Sequence, residues 1–402
     1  MNSFTLFNPT RLFFGSDQLA AFVKATAQIG KHALIVTGGG SVARLGYLQE
    51  ISEALTAAGV RLSYFSGIEP NPESATINRA AAYLREEKAD FIIALGGGSV
   101  MDAAKAIAAI VHAGEPDIWP FVLGEPRAFQ LAGAIPLAAI PTTAATASEV
   151  TPFAVISNRT TGGKSIIVAD FLKPVVAWLN PAYTIDLPTT TTCDGAADIL
   201  SHVFENYLLG GNDSPLADLY SEAVMATVLK SLPEVLAHPA DEAARGRLLW
   251  ASNLALNGYQ RVGRHEAQFV LHSMEHALSA KMPELAHGRG LATLYPAYFR
   301  WLLANNRAVD RLARLGSVLF GLSGEDGHGF VEKFEQWLAT NSLLQSLGDL
   351  GFSEADYPAI AEYTVKTYGD GKQLDAVGPM TMDDIIAIFK ATERQSTSQS
   401  KP

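Results

Sequence analysis

The first half of the chain alternates short apolar runs with helical patterns, and this alternation constrains the fold most. His32–Thr37 leads into Gly38-Gly39-Gly40-Ser41, and Phe91–Leu95 leads into Gly96-Gly97-Gly98-Ser99. Leu137–Ile140 is another apolar run. Continuously apolar strands that alternate with helices are typical of a parallel sheet covered on both faces. This half therefore predicts an α/β domain.

The pattern changes after Leu187-Pro188, where the strand-like runs disappear. We expect two domains, an α/β domain over residues 1–187 and an all-helical domain over residues 188–402, and a chain of 402 residues is long enough for both. Long helical patterns fill the second half, at Thr192–Leu208, Pro215–Leu232, Ala243–Asn257 and His265–Ala280.

Composition and charge narrow the partners and the compartment. The formal net charge is −11 and no long run of Lys and Arg occurs, so we expect neither nucleic acid nor an anionic membrane as a partner. The most apolar stretches are short and interrupted by glycine, which predicts no membrane span. The single cysteine, Cys193, excludes an internal disulfide, and the N-terminus lacks a secretory pattern. These features predict a cytoplasmic protein.

The two glycine triplets are candidate phosphate sites. Glycine lets a backbone approach an anion closely, and the N-terminus of the following helix offers free N–H groups and a favourable dipole. The sequence Gly96-Gly97-Gly98-Ser99 matches neither the Rossmann fingerprint nor the P-loop. One triplet is equally explained as a tight turn with Ser99 as helix cap. Two triplets at strand ends, where open α/β sheets bind ligands, favour a dinucleotide.

Histidines and one aspartate in the second half are candidate metal ligands. Asp198 and His202 are four residues apart and so share one face of a helix, as do His272 and His276, and His287 follows. Such pairs also occur on ordinary helix surfaces and in protein cores. Three of these features in one half of the chain favour a site for Fe(II) or Zn(II) rather than Mg²⁺ or Ca²⁺.

Taken in order, these motifs resemble the iron-containing alcohol dehydrogenase family over nearly the whole chain, and most of all its butanol dehydrogenase and NADPH-dependent aldehyde reductase branch. The resemblance implies an N-terminal nucleotide-binding α/β domain of the dehydroquinate synthase-like type with a parallel sheet, an all-α C-terminal metal domain and a cleft between them. The motifs that carry it are Pro70-Asn71-Pro72, Gly96–Asp102 with Lys105, Ile140–Thr151, Gly195–His202, His272–His276 and His287-Gly288.

The same resemblance implies roles for individual residues. It makes Asp198, His202, His272 and His287 the metal ligands, and the Asp-x-x-x-His spacing favours Asp198 over Asp194. The second histidine of its helix, His276, is implied to lie near the substrate, and we expect it to relay the proton of the alcohol. The implied cofactor-binding residues are Gly39, Gly40, Ser41, Asn71, Gly97, Gly98, Ser99, Asp102, Thr142, Thr143, Thr146, Phe153 and Lys164.

Two positions depart from the family pattern. The segment from His276 to His287 is one residue longer than in similar proteins and contains Pro283, which could displace His287. Gln268 stands four residues before His272, where an aspartate is common in this branch.

The turn after the first apolar run predicts the choice of cofactor. Similar enzymes that are specific for NAD carry an aspartate there, which bonds the ribose hydroxyls and repels a 2′-phosphate. Thr37-Gly38-Gly39-Gly40-Ser41 has no carboxylate. The sequence therefore favours NADP, with NAD as a second cofactor.

Together these inferences predict a metal-dependent alcohol dehydrogenase or aldehyde reductase (EC 1.1.1.-). It would transfer a hydride between NAD(P)H and a small aldehyde or primary alcohol, as a homodimer or larger homo-oligomer. Two alternatives remain open at this point, a glycerol dehydrogenase-like polyol enzyme and a non-catalytic nucleotide-binding protein with a degenerate metal site. A dehydroquinate synthase-like enzyme would need several cationic side chains for its phosphorylated substrate, but the motif regions offer chiefly Lys105 and Lys164.

Overall fold

The structure is a computed structural model that describes residues 1–211, 214–324 and 326–397. The chain forms two compact units. The α/β unit contains Phe7–Leu187 and His238–Asn253, and the helical unit contains Met1–Leu6, Pro188–Ala237 and the chain from Leu254 onward. The division into domains 1–187 and 188–402 stays a prediction, and these units differ from it at both short segments.

A six-stranded parallel sheet is the centre of the α/β unit. Its strand order is β1-β8-β5-β4-β2-β3. The strands are β1 Arg11–Phe14, β2 His32–Thr37, β3 Arg61–Phe65, β4 Phe91–Gly96, β5 Leu137–Pro141 and β8 Val176–Leu179, while β6 Phe153–Asn158 and β7 Gly163–Val168 form a separate antiparallel hairpin. The helices are α1 Leu19–Thr26, α2 Ser41–Arg44, α3 Tyr47–Ala57, α4 Ser74–Glu87, α5 Gly98–Ala113 and, running from this unit into the other, α8 Glu242–Leu256.

Both faces of the sheet are covered, as the apolar runs predict. Side chains alternate along β2, so that Leu34 and Val36 join a core with α4 and α5. Ala33 and Ile35 point the other way, into a core with α1 and α3. Strands buried on both sides have no polar face, which explains why β2, β4 and β5 appear in the sequence as continuous apolar runs.

The order of the strands brings three turns to one edge. The strands β5, β4 and β2 are neighbours and run in parallel, so their carboxyl ends coincide: Thr37 pairs with Leu95, and Gly96 pairs with Pro141. The amide of Thr142 donates to the carbonyl of Gly96 at 2.9 Å. This is the edge at which open α/β sheets bind ligands.

Helices make up most of the other unit. The strands β9 and β10 form a short antiparallel hairpin there, a departure from the all-helical prediction. None of the helices in the described part of the chain is both long and apolar enough to cross a membrane. The elements are α6 Thr189–Leu209, α7 Pro215–Ala237, α9 Val270–Lys281, α10 His287–Ala304, α11 Val309–Phe320, α12 His328–Thr340, α13 Tyr357–Tyr368, β9 Gln373–Asp375, β10 Pro379–Thr381 and α14 Met382–Thr397.

One predicted helix begins later than the sequence pattern indicates. The pattern predicts a start at His265, whereas α9 begins at Val270. The Glu205 carboxylate, from α6, accepts hydrogen bonds from the backbone amides of Leu271 and His272. Because the first amides of a helix have no partner within it, this distant carboxylate fixes where the helix starts.

Candidate metal centre and cofactor-binding edge

Four predicted ligands meet around one carboxylate oxygen in the helical unit. The Oδ1 atom of Asp198 lies 3.6 Å from Nε2 of His202, 3.7 Å from Nε2 of His272 and 3.6 Å from Nε2 of His287. Ligand atoms that bind one Zn²⁺ or similar ion tetrahedrally at about 2.1 Å are about 3.4 Å apart. The spacing therefore fits a single ion bound by Asp198 Oδ1 and the three Nε2 atoms.

The burial of the group supports the same interpretation. Asp198 is 2% exposed and His272 is 7% exposed. Among the described residues, neither Asp198 Oδ1 nor His272 Nε2 has a hydrogen-bond partner. Buried polar atoms without partners are costly, and a cation bound between these atoms would satisfy them. Three imidazoles and one carboxylate suit Fe(II) and Zn(II) equally.

Close approach of α10 to α6 brings His287 into the group. A Cβ atom on Gly288 would lie 1.8 Å from the carbonyl oxygen of Asp194, so only glycine fits there. Next to it, the Arg289 guanidinium binds the Asp194 carboxylate at 2.8 Å, which engages Asp194 away from the ligand set. The loop before His287 does not displace this histidine, because Nε2 of His287 lies as close to Asp198 as that of His202 does.

Two buried glutamates behind the histidines were missed by sequence reasoning. Glu205 contacts Nδ1 of His272, and Glu275 contacts Nδ1 of His287. A carboxylate on Nδ1 places the lone pair of the neutral ring on Nε2, the atom that faces Asp198. The available signal was a charged residue within an apolar helix, since Glu205 follows His202 by one turn and Glu275 follows His272 likewise.

Electrostatics favour cation binding at this group. Burial lowers the pKa of His202 to about 3, so its imidazole is neutral. Burial disfavours the charge of Asp198, but the surrounding histidines outweigh it and hold the pKa of this carboxyl below its usual range. Burial likewise opposes the charge of His272, but Glu205 and Asp198 raise its pKa to about 9. A metal ion would displace this proton, because only a neutral imidazole binds metals.

His276 lies beside this group rather than within it. Its ring centroid is 5.3 Å from that of His287 and 5.6 Å from that of Tyr368. Ligand atoms of His276, His287 and Glu275 lie within 4.8 Å of one another. His276 thus adjoins His287. Its place outside the ligand set and its role as proton relay both stay predictions.

In the α/β unit, the turn after β4 and the turn after β5 fit closely together. A Cβ on Gly98 would lie 2.5 Å from Thr146, and one on Gly97 would lie 3.3 Å from Thr143. The absence of side chains therefore lets the two turns touch. The amide of Asn71, another predicted residue, donates to Ser99 Oγ at 3.3 Å. The N-terminus of the 16-residue helix α5 starts here and suits a phosphate.

The turn after β2 is more open. Gly39 and Ser41 are exposed, and a Cβ on Gly39 would have no heavy atom within 4 Å. Gly40 has a φ of 103°, a conformation that favours glycine. These three predicted residues lie on the same edge of the sheet as the turns after β4 and β5, since β2 and β4 are neighbours.

The remaining predicted cofactor residues are more deeply placed. Thr142 is 8% exposed and Lys164, in β7, is 2% exposed, while Phe153 is half-buried at the start of β6. Both carboxylate oxygens of Asp102 are engaged within the protein, Oδ1 by Ser148 Oγ at 2.6 Å and Oδ2 by the amide of Val155 at 3.0 Å. Contact of these residues with a cofactor stays a prediction.

Comparison with known proteins identifies similar enzymes over almost the full length. The profile of the iron-containing alcohol dehydrogenases matches residues 9–181, and that of the C-terminal part of the same family matches residues 192–392. NADH-dependent butanol dehydrogenase B of Clostridium acetobutylicum is 34% identical over 95% of this chain and 97% of its own. NADPH-dependent aldehyde reductase YqhD of Escherichia coli is 32% identical over 97% of this chain and 100% of its own.

A solved structure supports the same relationship. The crystal structure of NADH-dependent butanol dehydrogenase A from Thermotoga maritima matches with a TM-score of 0.91 and 30% identity, over 98% of this chain and 99% of that one. The parallel sheet, the helical second half and the sequence profiles agree. This chain belongs to the iron-containing alcohol dehydrogenase family.

Proposed function

We propose that this protein transfers a hydride between NAD(P)H and a small aldehyde or primary alcohol, at a metal ion held by Asp198, His202, His272 and His287. The observation that carries the proposal is the convergence of three Nε2 atoms on Asp198 Oδ1 at 3.6 to 3.7 Å. As a member of its family the chain is an NAD(P)-dependent oxidoreductase, and relatives that act on butanol or on aldehydes support this substrate class.

The protein's own residues prepare the site. When bound, the metal supplies Lewis-acid polarisation of the substrate oxygen, and the nicotinamide supplies or accepts the hydride. Glu205 and Glu275 orient His272 and His287 through Nδ1, so that both rings present Nε2. His276, beside His287, would pass the alcohol proton toward solvent, a task suited to an imidazole. His276→Ala should lower turnover and leave the metal bound; loss of metal would reject this role.

NADP is the proposed preferred cofactor. The turn Gly38–Ser41 has no carboxylate to repel a 2′-phosphate, and it is open enough at Gly39 to admit one. Relatives of both kinds exist, since the butanol dehydrogenases are named for NADH and the aldehyde reductase for NADPH. NAD is therefore retained as a second cofactor.

The direct test is oxidation of NADPH and of NADH with butanal, after the purified protein has been loaded with Fe(II) or Zn(II). A sample treated with a chelator serves as the control, and glycerol with NADP⁺ or NAD⁺ tests the polyol alternative. We expect metal-dependent turnover of butanal that is faster with NADPH. Faster turnover of glycerol would favour the polyol enzyme, and nucleotide binding without turnover under any metal would favour the non-catalytic alternative.

A homo-oligomer and a cytoplasmic location are further proposals. The edge strand β1 carries Phe14, which is 43% exposed and contacts Trp250, itself 40% exposed. Unpaired strand edges with exposed aromatic side chains are sites at which chains associate. Sedimentation should show a dimer or larger species, and a monomer at micromolar concentration would reject this.

The only cysteine, Cys193, is buried and suits a reducing compartment. Fractionation of cells that make the protein would test the proposed cytoplasmic location.

A further inference from the structure

Residues on one face of α5 bind the segment 142–155 and hold it against the helix. This segment contains four of the predicted cofactor residues. Gly98, Asp102 and Lys105 are spaced by four and three residues, so they form one stripe along the helix. Gly98 lies against Thr146, where a Cβ would come within 2.5 Å. The spacing of the motif thus has a physical explanation, because each of the three residues contacts the same segment.

Lys105 makes the most contacts of the stripe. It is 0% exposed, although lysine is rarely buried completely. Its Nζ atom donates to Ser148 Oγ at 2.8 Å, to Thr151 Oγ1 at 3.1 Å and to the carbonyl oxygen of Phe153 at 2.8 Å. An ammonium has three donors, and these bonds use all of them.

Asp102 completes the connection. Ser148 accepts from Lys105 and donates to Asp102, so one hydroxyl links the two charged side chains of α5. Asp102 also accepts from the amide of Val155. The amide of Ser148 also donates to Thr146 Oγ1 at 3.2 Å. Ser148 therefore connects the hydrogen bonds of Lys105 and Asp102 to the turn that contains Thr146, the residue that lies against Gly98.

Charge explains why a lysine is tolerated at this depth. Asp102 lies on the same stripe, and the carboxyl group of Glu149, 2% exposed, also lies close to Lys105. Burial lowers the pKa of Lys105 to about 8, against the opposing effect of these two acidic groups. A buried cation is retained only when its partners are well arranged, so the position of Lys105 and the path of the segment 148–153 determine each other.

We propose that Lys105 is a positioning residue for the cofactor: its three bonds hold Ser148, Thr151 and Phe153 so that the turn Thr142–Thr146 and the start of β6 keep the shape that the nucleotide binds. This inference rests on the proposed function. Lys105 acts through the segment and does not touch the cofactor. Its loss therefore weakens nucleotide binding without removing a reacting group.

The test measures the dissociation constant of NADPH, by the fluorescence change of the nucleotide on binding, together with kcat at saturating NADPH. Lys105→Met keeps the volume of the side chain and removes all three bonds, and Thr151→Val removes one. Bonds to charged groups support an increase of about tenfold to a hundredfold in the dissociation constant for Lys105→Met and a smaller one for Thr151→Val. The kcat at saturation should stay within about threefold, as expected when uniform binding is lost.

Ile107→Val is the matched control, because Ile107 is a fully buried residue of the same helix that lies in the apolar core. It should lower the melting temperature and leave NADPH binding unchanged. Unaltered NADPH binding in both Lys105→Met and Thr151→Val would overturn the inference, as would equal weakening by Ile107→Val. If Lys105→Met does not fold, the dissociation constant of NADPH for Thr151→Val alone tests the inference. Failure of the unaltered protein to bind either nucleotide would instead reject the proposed function.

Discussion

At the scale of single residues, the orientation of the proposed metal ligands depends on groups that contact the far side of their rings. His272 and His287 each have a glutamate on Nδ1, and both glutamates are almost fully buried. His202 has no such contact among the described residues, since its Nδ1 has no hydrogen-bond partner there. The three histidines are thus not equivalent, and Glu205 is the residue whose loss should be most informative.

We predict that Glu205→Gln weakens metal binding by about tenfold to a hundredfold, the usual effect of altering a group that orients a ligand. The amide keeps the size of the side chain but removes the charge that supports His272. Glu222→Gln is the control, because Glu222 is equally buried in the same unit and binds Tyr207 and Arg314 instead. Metal titration followed by elemental analysis measures both; equal affinity in Glu205→Gln and the unaltered protein would contradict the assignment.

We expect the cofactor preference to depend on one position as well. We predict that Gly39→Asp raises the dissociation constant of NADPH at least about tenfold and changes that of NADH much less, since a carboxylate repels the 2′-phosphate. The side chain fits, because a Cβ there meets no heavy atom within 4 Å. Gly39→Asn has the same size without the charge. If both variants lose NADPH equally, or neither does, the turn does not select the cofactor.

The sequence indicates the candidate ligands more readily than the glutamates that contact them. The spacing of Asp198 and His202 places both on one helical face, and this local rule needs no fold. Glu205 and His272 are separated by 67 residues, so only the packing of α6 against α9 joins them. Lys105 was noticed as part of a motif, but its burial and its three bonds depend on the path of a segment more than 40 residues away.

At the scale of secondary-structure elements, the sequence predicted best the strands that are buried along their whole length. The bounds predicted for β2, His32–Thr37, agree with the structure. The strand β1 was missed because it is short and half-exposed at the edge of the sheet, and therefore lacks a long apolar run. The start of α9 was placed too early because Glu205, which caps the helix from another element, cannot be located from the local sequence.

At this scale we predict the effect of disturbing the contact between α6 and α10. Gly288→Ala places a methyl group 1.8 Å from the Asp194 carbonyl, so the helices must separate and His287 must move from Asp198. We predict a lower melting temperature and a loss of metal affinity of at least about tenfold, as for a displaced ligand.

Gly316→Ala is the matched control for that variant. Gly316 lies within α11, and a Cβ there would make ordinary contacts at 3.4 Å. Alanine is preferred to glycine inside helices by up to about 1 kcal/mol, so this variant should be as stable as the unaltered protein or slightly more so. Gly288→Ala that binds metal normally would show that α10 does not position His287.

At the scale of the whole molecule, the parallel sheet and the helical second half were predicted and are confirmed. The two compact units each include a short segment that lies apart in the sequence. The segment His238–Asn253 belongs to the α/β unit, although in the sequence it lies between helices of the helical unit. A helical pattern indicates which face of a helix is buried, but it does not indicate which core receives that face. The short hairpin of β9 and β10 was missed for a related reason, since strands of three residues carry almost no periodic signal.

Global stability should depend on pH through Lys105. Its pKa is lowered from 10.5 to about 8 in the folded protein, so between these values the unfolded chain binds more protons than the folded one. Stability contributed by this group therefore rises as the pH increases from 8 to 10.5, by up to roughly 3 kcal/mol. Urea denaturation of the unaltered protein and of Lys105→Met at several pH values measures this difference; a difference that is constant or falls with pH would contradict it.

The most direct test of the account is titration of the metal-free protein with Fe(II) or Zn(II), with NADPH-dependent reduction of butanal measured at each addition. If Asp198 and the three histidines hold one ion that is needed for hydride transfer, activity will rise linearly and stop rising at one equivalent per chain. The same titration of His272→Ala will show neither the tight binding nor the activity. Full activity in the metal-free protein, or unchanged binding in His272→Ala, would contradict the account.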